Sequence, residues 1–179
     1  MLVFNDFAKN SERSLPFLNG KAYSSWILLG WRRETKKLGG MSKRISIPEY
    51  AMALAEVASL RSEDPFRKVG AAALDFDNRV IATAYNGLAP GFEAPPGFWD
   101  DREKRQKFML HAEINLCSLF KRGECKTVAT STMPCTACMQ TLCAYGIREV
   151  YYREVYKASD AVEIAQTYGI KLEQVPLHG

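Results

Sequence analysis

The sequence predicts a three-layer α/β/α sandwich on a mixed five-stranded sheet. Three observations carry this reading: a helical repeat of apolar residues over 47–61, two short apolar runs joined by a turn, and strands alternating with helices over 127–175. The 179 residues, 47% hydrophobic and 25% charged, suffice for one domain with one sizeable core. Ile47, Tyr50, Ala51, Leu54, Val57 and Ala58 recur at helical spacing, with Ser46 as cap and Pro48 in the first turn. A helix is therefore expected over 47–61, ended by Asp64-Pro65. Residues 69–74 and 80–85 flank the turn signal Asp75-Phe76-Asp77-Asn78 and read as an antiparallel hairpin. A loop rich in Pro and Gly follows over 86–100. The apolar period predicts one helix over 106–121, stopped by Gly123. Then come a strand at 127–131, a helix opening after Pro134, a strand at 147–152, a helix at 159–168 and a strand at 171–175.

The longest apolar stretch, Trp26-Ile27-Leu28-Leu29-Gly30-Trp31, is far short of the roughly 18 residues that a membrane helix needs. No secretory signal is read, so a cytoplasmic protein without a membrane partner is expected. The net charge of +4 is unevenly placed: residues 1–40 hold seven Lys/Arg and three Asp/Glu, and the other 139 residues hold 17 of each sign. Residues 1–40 are accordingly expected to be a weakly ordered N-terminal extension, or an upstream extension of the reading frame, with a basic arm as the rival reading. Residues 41–179 are expected to be the functional domain. A polynucleotide substrate requires a basic path for several phosphates, so a domain of zero net charge predicts no nucleic-acid partner.

The five cysteines are Cys117, Cys125, Cys135, Cys138 and Cys143. An odd number, all in the second half, argues against a disulfide framework. Cys117, Cys125 and Cys143 are expected to pack as small apolar residues. Cys135 and Cys138, in Pro134-Cys135-Thr136-Ala137-Cys138, join His111-Ala112-Glu113 as the informative positions. An imidazole and two thiolates suit Zn²⁺, and three protein ligands leave a fourth tetrahedral position open. The spacing places both cysteines on the first turn of a helix, whose dipole favours thiolates. Glu113, two residues from His111, can reach a water at the metal without ligating it. A redox pair and a closed zinc knuckle are the alternatives, and the knuckle lacks a fourth ligand. The His-x-Glu motif with a later Pro-Cys-x-x-Cys is the pattern of zinc-dependent nucleobase deaminases.

The chain resembles the deoxycytidylate (dCMP) deaminase family of the cytidine deaminase-like superfamily. The resemblance lies in Asp64-Pro65, Val69-Gly70-Ala71, Tyr85-Asn86-Gly87, Asp101-Arg102-Glu103, His111-Ala112-Glu113-Ile114-Asn115, the Pro-Cys-x-x-Cys and Tyr145-Gly146-Ile147. It implies that His111, Cys135 and Cys138 hold zinc, that Glu113 shuttles protons, that the Ala112 backbone meets the pyrimidine edge and that Asn86 hydrogen-bonds substrate. The bland reading of Asn86 is a left-handed turn residue before Gly87. The implied reaction converts dCMP to dUMP and ammonia, supplying thymidylate synthesis. Other nucleoside, nucleobase or tRNA deaminations, and a pseudodeaminase module, are the alternatives. A nucleotide needs a cation for its phosphate, and Arg67 is the first choice among Arg67, Lys68, Arg102 and Arg105. The loop after Gly87 lacks Cys and His, so one zinc per chain is expected. Family members also form hexamers and respond to dCTP and dTTP with Mg²⁺. Phe92, Phe98 and Trp99 are read as lining a pocket or subunit contact, or as anchoring the loop.

Overall fold

The computed structural model describes residues 44–176. The expectations for residues 1–40 lie outside the described residues. Ser46 opens α1 (Ile47–Ser59) with a reciprocal cap: its hydroxyl accepts from the Glu49 amide, and the Glu49 carboxylate accepts from the Ser46 amide. Ser46→Ala is expected to lower stability by about 1 kcal/mol, read as a lower urea midpoint at unchanged slope; an unmoved midpoint would contradict it. β1 (Gly70–Leu74) and β2 (Val80–Tyr85) form the expected hairpin, with a register irregularity between Ala73 and Leu74. The chain continues through α2 (Arg102–Phe108), α3 (Ala112–Cys117), β3 (Thr127–Thr132), α4 (Thr136–Tyr145), β4 (Glu149–Glu154), α5 (Ala161–Tyr168) and β5 (Lys171–Gln174).

The sheet order is β2-β1-β3-β4-β5, with β1 antiparallel to both neighbours and β3, β4 and β5 parallel. It is therefore the mixed five-stranded sheet expected. Alternation along the strands divides the core in two. Ala71, Ala73, Val128 and Val150 pack toward α3, α4 and α5, whereas Ala72, Leu74, Ala129 and Tyr151 pack toward α1. This is the three-layer α/β/α sandwich, with α1 covering one face. β1 reads Gly-Ala-Ala-Ala-Leu and is buried throughout, because it lies between the two helical layers. Its small side chains let both layers approach closely. No helix among the described residues is long and apolar enough to cross a membrane.

Two expected boundaries are corrected. The single helix over 106–121 is instead two, α2 and α3, and the second ends at Cys117. Between them Leu110 forms a bridge with Gly87, through Gly87 N to Leu110 O at 3.1 Å and Leu110 N to Gly87 O at 2.8 Å. A residue whose amide and carbonyl both serve a bridge cannot continue the helical ladder. The strand expected at 147–152 runs instead over Glu149–Glu154, because Ile147 belongs to the end of α4. Gly146 is left-handed at φ 81°, and the Ile147 amide returns to the Leu142 carbonyl at 3.1 Å, so Ile147 closes the helix as a buried apolar cap.

Candidate active site

Because β1 runs against β3, one end of the sheet gathers the start of β1 with the ends of β2, β3 and β4. A cavity of about 330 Å³ lies there, in the size range of small-molecule sites. Its wall includes Arg67 and Val69 ahead of β1, Asn86 after β2, Thr132 and Met133 at the end of β3, and Tyr156 beyond β4. The α2–α3 segment closes it with Arg102, Arg105, Gln106 and Met109, and His111, Ala112, Glu113 and Cys135 also face it.

His111 and Cys135 occupy corresponding positions as the N-cap residues of α3 and α4, both extended, at ψ 150° and 168°. Cys138 follows in the first turn of α4 and is buried. The ligand atoms of His111, Cys135 and Cys138 lie within 4.8 Å of one another, with His111 Nδ1 at 3.3 Å from Cys138 Sγ and 3.5 Å from Cys135 Sγ. A tetrahedral zinc with usual bonds to nitrogen and sulfur separates its ligand atoms by about 3.5 Å. The three donors therefore fit a zinc ion by chemistry and by spacing.

Electrostatics drive the two thiols of the cluster in opposite directions. Hydrogen bonds from Cys138 and then His111 draw the Cys135 thiol down to about 4. The Cys138 thiol is instead pushed up, first by its bond to the Cys135 sulfur and then by burial. Two sulfurs this close cannot both carry charge without a cation, so the buried one keeps the proton. His111 is raised, chiefly by its hydrogen bond to the Cys135 thiolate. Glu113 is 4% exposed, and burial raises its carboxyl above the ordinary range. Such a shift suits proton transfer near neutral pH.

Asn86 is nearly buried and makes two structural bonds. Its Oδ1 accepts from the Val69 amide at 2.7 Å, and its Nδ2 donates to the Arg67 carbonyl at 2.9 Å. It is not left-handed: Asn78 is the one non-glycine residue with positive φ among the described residues, so the turn reading of Asn86 is corrected. Asp64 Oδ1 accepts from the amides of Phe66 and Arg67 at 2.8 and 3.1 Å, which shapes the loop that carries Arg67. The Arg67 guanidinium lies 5.5 Å from the Tyr156 ring centre, and that of Arg105 4.1 Å from Phe66. None of Arg67, Arg102 and Arg105 has a carboxylate partner among the ion pairs of the described residues. Lys68 is turned to the Ser62 carbonyl at 2.8 Å and does not line the cavity.

The profile of the cytidine and deoxycytidylate deaminase zinc-binding region matches residues 45–154. The chain belongs to this family. It is 36% identical to ComE operon protein 2 of Bacillus subtilis over 144 residues, covering 75% of this chain and 74% of that one. A probable deoxycytidylate deaminase of Caenorhabditis elegans is 30% identical over 128 residues, 68% of this chain and 64% of the relative. The chain thus matches just under two thirds of the nematode protein. A crystal structure of dCMP deaminase from the cyanophage S-TIM5, in complex with dCMP and dUMP, superimposes with a TM-score of 0.62 at 25% identity, covering 74% of this chain and 99% of that one. The cytidine deaminase-like fold is shared.

Sequence reasoning missed Asp64, Phe66, Met109, Met133 and Tyr156, among others, as cavity residues. One signal could have found Tyr156 and Met133: in α/β sheets, ligands bind beyond the carboxyl ends of parallel strands. Of the aromatic residues after Gly87, Phe98 is buried and anchors the loop, whereas Phe92 is exposed. Phe98 is buried 5.9 Å from Phe92 and 5.2 Å from Trp99 between ring centres, and none of the three lines the cavity. Cys117 and Cys125 pack in the core with thiols pushed up by burial, to about 11 and about 12.

Proposed function

We propose that this chain hydrolyses dCMP to dUMP and ammonia at a zinc ion held by His111, Cys135 and Cys138, supplying the dUMP that thymidylate synthesis consumes. The observation that carries this reading is the pairing, in one cavity, of a buried carboxylate beside the three-donor cluster with three arginines that lack carboxylate partners. Zinc supplies the Lewis acidity that makes water a nucleophile near neutral pH. Glu113 takes one proton as the water oxygen adds to C4 and gives it to N3, then carries the proton left on that oxygen to the amino group, which leaves as ammonia as the C4 carbonyl forms. Its burial keeps competing solvent away and strengthens it as a base.

The backbone around Ala112 lines the cavity and faces the pyrimidine edge. Asn86 keeps one Nδ2 proton beyond its bond to Arg67, and this proton is directed to the substrate. Arg67, with Arg102 and Arg105, receives the phosphate. The neutral domain thus concentrates its positive charge where a monophosphate needs it.

Ammonia release from dCMP, deoxycytidine and a cytosine-bearing oligonucleotide tests the reading. dCMP is expected to show the highest kcat/KM. Arg67→Ala is expected to raise KM for dCMP by roughly 10-fold or more, the worth of a charge-assisted hydrogen bond, while deoxycytidine turnover is unchanged. Preference for the oligonucleotide would overturn the proposal.

A further inference from the structure

The Cys135 carbonyl accepts from the Met139 amide at 2.8 Å, which starts the ladder of α4. Cys135 is the N-cap residue of that helix, yet its side chain makes no capping bond, and its predecessor Pro134 has no amide proton. Its two sequence neighbours are instead fastened to a dipeptide 24–25 residues later. Ser159 Oγ donates to the Pro134 carbonyl at 2.5 Å, Thr136 Oγ1 donates to Asp160 Oδ2 at 2.9 Å, and the Asp160 amide donates to Thr136 Oγ1 at 3.2 Å. The same Ser159 hydroxyl accepts from the Ala161 amide at 3.1 Å, which ties the dipeptide to the start of α5.

Asp160 is diverted from its ordinary local use. Aspartate is among the best N-cap residues, because its carboxylate satisfies the free amides of its own helix. Asp160 occupies the N-cap position of α5 but makes no capping bond there, at φ −87° and ψ 16°. Its carboxylate crosses to α4. Asp160 is exposed and Thr136 half-buried, so the contact is a poor source of stability. It does fix where a backbone segment lies. These bonds flank Cys135, the one cysteine of the cluster that lines the cavity wall.

We infer that Ser159 and Asp160 form a brace, acting through Pro134 and Thr136, that positions Cys135 for metal binding. They are positioning residues for the metal centre of the proposed function, and the inference rests on that reading. Without the brace, more of the ordering of Cys135 falls to the metal, and that free energy is subtracted from binding.

The test measures zinc affinity by chelator competition, and cobalt(II) absorption as a reporter of ligand geometry. Thr136→Val and Asp160→Ala are expected to weaken zinc binding by about 3- to 10-fold, the worth of one ordinary hydrogen bond, and to shift the cobalt d–d bands. Thr136→Ser keeps the hydroxyl and is expected to retain parental affinity. The thermal midpoint of the metal-free variants should stay near that of the parent, which separates positioning from general destabilisation. Parental affinity and an unchanged cobalt spectrum in Thr136→Val and Asp160→Ala would overturn the brace, as would equal losses in Thr136→Ser and Thr136→Val. A parent chain that takes up no zinc would refute the metal centre itself, and the brace with it.

Discussion

Glu113→Gln is expected to lower turnover by about 10²- to 10⁴-fold while leaving one zinc per chain. The two side chains have nearly the same volume, so the buried site at the start of α3 is not left with a cavity. The amide also removes a carboxyl that burial disfavours in its charged form, so folding is not penalised. The metal donors are unaltered, since His111, Cys135 and Cys138 cluster without Glu113. What is lost is the ability to accept a proton from water and return it to the pyrimidine. Metal content by elemental analysis and ammonia release from dCMP check both halves. Activity within about tenfold of the parent would refute the proton-transfer role. Loss of zinc along with activity would show that Glu113 supports the metal instead.

The site was legible in the sequence where its determinants are local, and the fold where its periods are clean. His111 and Cys135 each begin a helix, and Cys138 lies in the first turn of one, so short motifs were enough to bring the three to attention. The hairpin and the alternation after Thr127 follow from apolar runs bounded by turn residues. Long-range determinants were hidden. The break between α2 and α3 depends on a bridge from Leu110 to Gly87, 23 residues away, whereas the apolar period of the sequence runs straight through it. Asn86 reads as a turn residue because of the glycine after it, yet its side chain joins β2 to the segment before β1. The brace from Asp160 to Thr136 has no signature either, since it joins the starts of two helices 24 residues apart.

Gly70→Ala is the substitution expected to affect folding most. A Cβ at this position would lie 1.9 Å from the Ala55 carbonyl oxygen and 2.4 Å from the Ser59 amide nitrogen. Both obstacles are backbone atoms of α1, so no rotamer change can relieve the overlap. The helix would have to lift from β1, where Ala51, Met52 and Ala55 are completely buried against Ala72 and Leu74. Overpacking of this kind costs about 3 kcal/mol or more, a large part of the roughly 5–15 kcal/mol that stabilises a domain. The thermal midpoint should fall by roughly 10 °C. Gly146→Ala separates this clash from loss of glycine's conformational freedom. Gly146 sits at φ 81° with nothing within 4 Å of its would-be Cβ, so alanine there incurs only left-handed strain, about 1–2 kcal/mol. Gly70→Ala should therefore be the more destabilising of the two in denaturant unfolding. The reverse order would mean that α1 does not press on β1 at Gly70, and that the alanine-rich interface is looser than the structure shows.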